Sequence, residues 1–128
     1  MTDDGATTVT RARQALEQMS DLVGDRGHID NSRRWDRLVD EWLADRRELA
    51  GTAEGRAAVT ELMGDPRPAV RLWSAAAVLS WDPDAARPVL VAIRDFPLDY
   101  DLHSITAKQT LLAFDAGELD PDGRLPGT

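Results

Sequence analysis

Two histidines, seventeen aspartates and four tryptophans are the side chains of this 128-residue chain with the most chemistry open to them. His28 lies in a Gly-rich stretch and His103 near the start of a helical pattern. Neither has a histidine or carboxylate at i+3 or i+4, and Glu-x-x-His and His-x-x-x-His are both absent. There is no cysteine, hence no thiol nucleophile, thiolate metal site or disulfide. Gly-x-Ser-x-Gly, the P-loop and Gly-x-Gly-x-x-Gly are missing as well. Aspartates at this density meet by chance, and helix caps account for several of them. The residues therefore assemble no catalytic constellation, no metal site and no cofactor site.

The tryptophans offer stacking surfaces for a base or a ligand. Trp35 and Trp42 are seven apart on one helix face, however, and Trp73 falls in an apolar stripe, so these three read as core. Trp81 sits at a turn and remains a candidate contact.

The elements that position these side chains are helices. Val9, Ala12, Leu16, Met19 and Val23 recur at spacings of three and four, which predicts a helix from Thr8, capped by Thr7 or Thr8 and closed by Gly24. Residues 24–31 form a turn-rich loop. A second helix runs from Asn31-Ser32 to Leu49 with Trp35, Leu38, Val39, Trp42, Leu43 and Leu49 inward. A short third helix, 53–63, turns Ala57, Ala58, Leu62 and Met63 in and stops at Gly64.

Residues 65–96 organise the rest. The turn Asp65-Pro66-Arg67-Pro68 opens a helix over 68–80 with Val70, Trp73, Ala77 and Val78 inward. Its Ala75-Ala76-Ala77 run leaves room for neighbours on two sides. Trp81-Asp82-Pro83-Asp84 turns the chain again, and a helix capped by Asp84 carries Val89, Leu90, Ala92, Ile93 and Phe96. After the turn at 97–101, a last helix over 102–114 carries Ile105, Leu111, Leu112 and Phe114, and Gly117 ends it. Residues 1–6 read as a disordered N-terminus, 7–117 as a single helical domain, and 118–128 as a flexible acidic tail.

A chain of this length buries roughly two-thirds of its unfolded surface. Its formal charge is −8, with thirteen acids to nine bases in residues 1–64 and ten to six in 65–128. An acidic excess in both halves argues against nucleic acid and anionic membranes as partners. It permits a basic protein partner, and it also reads as a solvated acidic surface. Met1-Thr2-Asp3-Asp4 leads into no apolar core, so it does not read as a signal peptide, and no run reaches about eighteen apolar residues. The expected location is cytoplasmic.

Shifting residues 70–79 by 32 positions lays Val70 on Leu102, Arg71 on His103, Trp73 on Ile105, Ala75 on Ala107 and Leu79 on Leu111. A period of that size in paired helices points to an α-solenoid. "DPRPAVRLWSAAAVL" followed by "DPDAARPVLVAI" resembles the HEAT-like repeats of the ARM/HEAT superfamily: an Asp-Pro turn (Asp65, Pro66), Val70-Arg71, small residues and Leu, then a second Asp-Pro turn. Residues 32–119, including "VRLWSAAAVL" and "TLLAFDAGEL", also resemble a small bacterial family of uncharacterised HEAT-like domains. The resemblance implies an all-α, right-handed superhelix of five to six helices. In it Arg71 would pack stacked turns, helices 32–49, 68–80 and 102–114 would form an outer layer, and 53–63 and 84–95 an inner, concave binding layer. Glu54, Glu61, Arg87 and Arg94, left free by the apolar stripes of that layer, join Trp81 as candidate partner contacts.

The expected function is a non-catalytic protein-interaction module, of an immunity or adaptor type, that occludes a basic partner. Two alternatives stand beside it. A HEAT-like DNA glycosylase would need a basic track that this sequence lacks, and a small-ligand (bilin-lyase-like) chaperone has no specific feature in its favour.

Overall fold

The computed structural model describes residues 3–23, 31–95, 102–120 and Leu125. These form six α-helices: α1 (Asp3–Leu22), α2 (Ser32–Ala50), α3 (Ala53–Leu62), α4 (Pro68–Val78), α5 (Pro83–Asp95) and α6 (Leu102–Asp115). The loop expected at 24–31 lies outside the described residues apart from Asn31, as do Gly24, His28, Phe96 and the turn at 97–101.

α1 begins ahead of the expected start at Thr8. Thr8 lies inside α1 rather than at its start and is buried; its hydroxyl donates to Glu48 Oε2 at 3.0 Å. Arg11 forks onto buried Asp45 (2.6–3.1 Å), and Arg34 Nη2 donates to Gln18 Oε1 at 2.7 Å. The order of these contacts makes α1 and α2 antiparallel, with Ala12, Leu16 and Met19 packed into the same core as Trp35, Val39 and Trp42. Trp35 meets Trp73 edge to face, ring centroids 6.2 Å apart.

α2 opens on Asn31, whose side chain accepts from the Arg34 N–H at 3.1 Å. Past its end the chain turns tightly into α3. Thr52 Oγ1 accepts from the Gly55 N–H at 2.9 Å, and Arg56 Nε donates to the Ala50 carbonyl at 2.7 Å, satisfying one orphan group at each helix end. Gly55 is buried against the last turn of α2, so closely that a Cβ there would overlap the Leu49 carbonyl and lie 2.7 Å from Leu49 Cα. This contact fixes the rotation of α3. Gly55, Val59 and Leu62 face in, while Ala57, expected inside, is exposed and Ala58 and Met63 are only half-buried.

α4 is the centre of the molecule. It packs on α1, α3, α5 and α6. From Ala69 to Leu79 every side chain is buried except half-buried Arg71. The resemblance had put this helix in an outer layer; four neighbours bury it on all sides instead. The alanine run permits this, because three methyl groups let helices approach closely. Arg71 keeps a buried Nε with no hydrogen-bond partner among the described residues.

α5 is capped by Asp82, whose carboxylate accepts from the Ala85 N–H at 3.3 Å; Asp84, the expected cap, sits in the first turn. α5 and α6 are antiparallel: Arg87 meets Asp115 at one end, and Ser104 Oγ donates to the Arg94 carbonyl at the other. α6 buries His103, Thr106, Ala107, Thr110 and Leu111, whereas Ile105 and Leu112, both expected in the core, are 47% and 59% exposed. The 32-residue shift therefore keeps Ala75/Ala107 and Leu79/Leu111 in equivalent buried places but lays buried Trp73 on exposed Ile105.

Gly117 closes α6 at φ 71°, with Gly117 N–H on Phe114 O (3.1 Å) and Glu118 N–H on Ala113 O (2.8 Å). Beyond it, Leu119 packs half-buried against the core, and Leu125, assigned by sequence to the tail, is 3% exposed within that core. Arg46, buried on α2, donates to Ser80 Oγ at 3.1 Å. Burial lowers its pKa, and the charge of Asp120 acts in the opposite direction.

Candidate functional site

α3 is the element that gathers candidate contacts. Once Gly55, Val59 and Leu62 are turned inward, residues 54, 57 and 61 must point out, since seven residues make two turns. Glu54 and Glu61 are accordingly both exposed, with the small side chain of Ala57 between them. Neither glutamate has an ion pair among the described residues. At the N-terminal end of this face the Arg56 guanidinium lies 6.0 Å from the ring centroid of half-buried Trp81.

At its C-terminal end Glu61 lines a cleft of about 370 Å³ with Arg13, Glu17, Gly64, Asp65 and Arg67. Asp65 organises that cleft. Its carboxylate accepts from the Arg67 backbone N–H at 2.9 Å and from Arg67 Nε at 3.0 Å, and Arg67 Nη2 reaches Glu17 Oε1 at 3.2 Å. The side-chain hydrogen bond from Arg67 holds the Asp65 carboxyl below its ordinary pKa, against a smaller opposing effect of burial, and raises Arg67 in turn.

Glu54, Glu61 and Trp81 are thus distributed along or beside α3. Arg87 and Arg94 are placed elsewhere, on α5, and their charges are already answered. Arg87 Nη2 donates to Asp115 Oδ1 at 2.7 Å and its guanidinium lies 5.6 Å from the Phe114 ring centroid; Arg94 Nε donates to Asp95 Oδ1 at 2.8 Å. Both arginines are raised and both aspartates lowered in pKa, chiefly by these hydrogen bonds. Of the repeat residues, Asp65 lines the cleft, Pro66 is exposed in the turn before α4, and Val70 and Trp73 are core.

No family model, no curated protein and no solved structure matches this chain.

The α3 face is a slim acidic ridge, with a cation stacked on an indole at one end and a mixed-charge cleft at the other. Its exposed carboxylates, Glu54 and Glu61, would lose little internal bonding on contact with a positive charge. Among the described residues, no group of three His, Asp or Glu side chains could hold a metal ion, and no helix is long and apolar enough to cross a membrane. Arg56, Arg13 and Glu17 join the site without having been expected there. Arg13 and Glu17 are brought in by the packing of α1, which no sequence spacing signals, and Arg56, on α3 itself, joins through its approach to Trp81.

Proposed function

We propose that the chain is a non-catalytic protein-interaction module of HEAT-like helical-repeat type, an immunity- or adaptor-like protein that occludes a basic protein partner through the outer face of α3. One observation carries the reading. Among the described residues, Glu54 and Glu61 stay exposed and unpaired on this face, whereas the cation beside them, Arg56, donates to the Ala50 carbonyl and lies over the Trp81 ring. The charge left for a partner on this face is negative, in keeping with the formal net charge of −8. A field of one sign accelerates capture of an oppositely charged protein and falls with ionic strength.

The sequential antiparallel pairs α1–α2 and α5–α6 support the helical-repeat part of the reading. A docked protein covering α3 would inhibit by surface occlusion, which needs no reactive group. Tagged protein incubated with native lysate at low and high salt tests the proposal. A stoichiometric basic protein retained at low salt and released at high salt is the expected result; an eluate with no basic protein at either salt contradicts it.

A further inference from the structure

Ile105 and Leu112 are the exposed large hydrophobic side chains among the described residues, and both lie on α6. They are seven residues apart, so one stands two turns above the other on one face. Between them lie exposed Lys108 and Gln109. The opposite side of α6 is buried against α4 and α5 through Thr106, Ala107, Thr110 and Leu111. The outward stripe is therefore not a misplaced core face; the helix has two separate faces that exclude water or would gain from doing so. Ile105 and Leu112 stand about 10.5 Å apart along the helix axis, a spacing that residues at i and i+7 of a partner helix match.

The charge on this stripe selects its occupant. Lys108 is the only lysine of the chain. The nearest acid on the outer side of α6, Asp115, is held by Arg87. A second copy fits poorly. Antiparallel pairing that sets Ile105 against Leu112 of the other copy brings the two Lys108 side chains together at the symmetry axis, and parallel pairing does the same. Sliding the register until Lys108 meets Asp115 of the other copy moves Ile105 opposite residue 118, past the end of the helix.

We infer that the outer face of α6 docks an amphipathic helix of another protein, one bearing large aliphatic residues at i and i+7 and a carboxylate between them that meets Lys108. This surface is separate from the acidic face of α3 and does not depend on the function proposed for it.

Two synthetic helical peptides test the inference on the full chain. Both carry Leu at i and i+7, one with Glu and the other with Lys at i+3, and binding is followed by backbone-amide NMR. The Glu peptide should shift residues 105–116 and bind about fivefold more tightly than the Lys peptide, as expected for gaining one exposed ion pair and avoiding one repulsion. Lys108→Glu should reverse that preference, and Leu112→Ser should weaken both peptides; both side chains are exposed, so neither change threatens the fold. Equal affinities, shifts confined to other helices, or no binding would overturn the inference. So would a dimer of the free chain in sedimentation that Leu112→Ser dissolves, since it would make the second copy the occupant.

Discussion

Asp65 and Arg67, two residues apart, form a closed unit: backbone and guanidinium of one residue converge on the carboxylate of the other, and the arginine extends to Glu17 on α1. The Asp-Pro turn was legible in the sequence, but its reach to α1 was not, because that depends on where α1 lands. The same limit applied to Arg87. The apolar stripe of α5 left it and Arg94 free, which made them candidate contacts, and only the α5–α6 register could bring Asp115 opposite Arg87. A pH prediction follows from the depressed carboxyls of Asp65, Asp95 and Asp115. A folded pKa below the unfolded value means that the unfolded chain binds more protons between the two, so stability rises with pH there. Their contribution is complete above the ordinary value of 3.8 and is lost as pH falls from there through the folded values. Thermal melts across that window should show a steep acid limb, flatter in Asp65→Asn.

Helix α3 shows how one atom sets an element. The apolar pattern put Ala57 and Ala58 inward, where the structure turns Val59, because alanines tolerate either side of a helix surface. Contact of Gly55 with the Leu49 backbone decides it, and with it the outward direction of Glu54 and Glu61. Gly55→Ala should destabilise the fold by about 2–3 kcal/mol, since backbone rather than a movable side chain opposes the methyl group. Gly117→Ala should cost about 1 kcal/mol for its left-handed conformation alone, because nothing lies within 4 Å of a Cβ there. Urea titrations of the two variants would separate these costs. α6 lies where the sequence put it, but its inward face escaped the sequence reading for a different reason. Its apolar residues surround the helix, and its buried side includes Thr106 and Thr110, the latter donating to the Thr106 carbonyl at 2.7 Å. A polar side chain that satisfies itself within its own helix can be buried without any signal in the apolar pattern.

At the scale of the molecule, the turn-bounded pair at 65–96 was readable as the organising segment, and α4 is indeed where α1, α3, α5 and α6 meet. The Asp-Pro punctuation and the alanine run carried that information. The contribution of Leu125 did not show, because a single apolar residue within a Pro-Gly-Asp-rich stretch has no periodicity to reveal its burial. Leu125→Ala should lower stability by about 2–3 kcal/mol, near the lower end of the range for a buried leucine, measured as a shift of the urea midpoint at constant slope.

The central claim is that the unpaired acids of α3 capture a basic protein. The most direct measurement compares the wild-type chain with Glu54→Lys/Glu61→Lys in parallel captures from native lysate, after circular dichroism has shown equal helicity. The account predicts one basic protein retained by the wild type at low salt and lost from the double variant. Equal retention of the same protein by both would contradict it, as would a wild-type eluate with no basic protein.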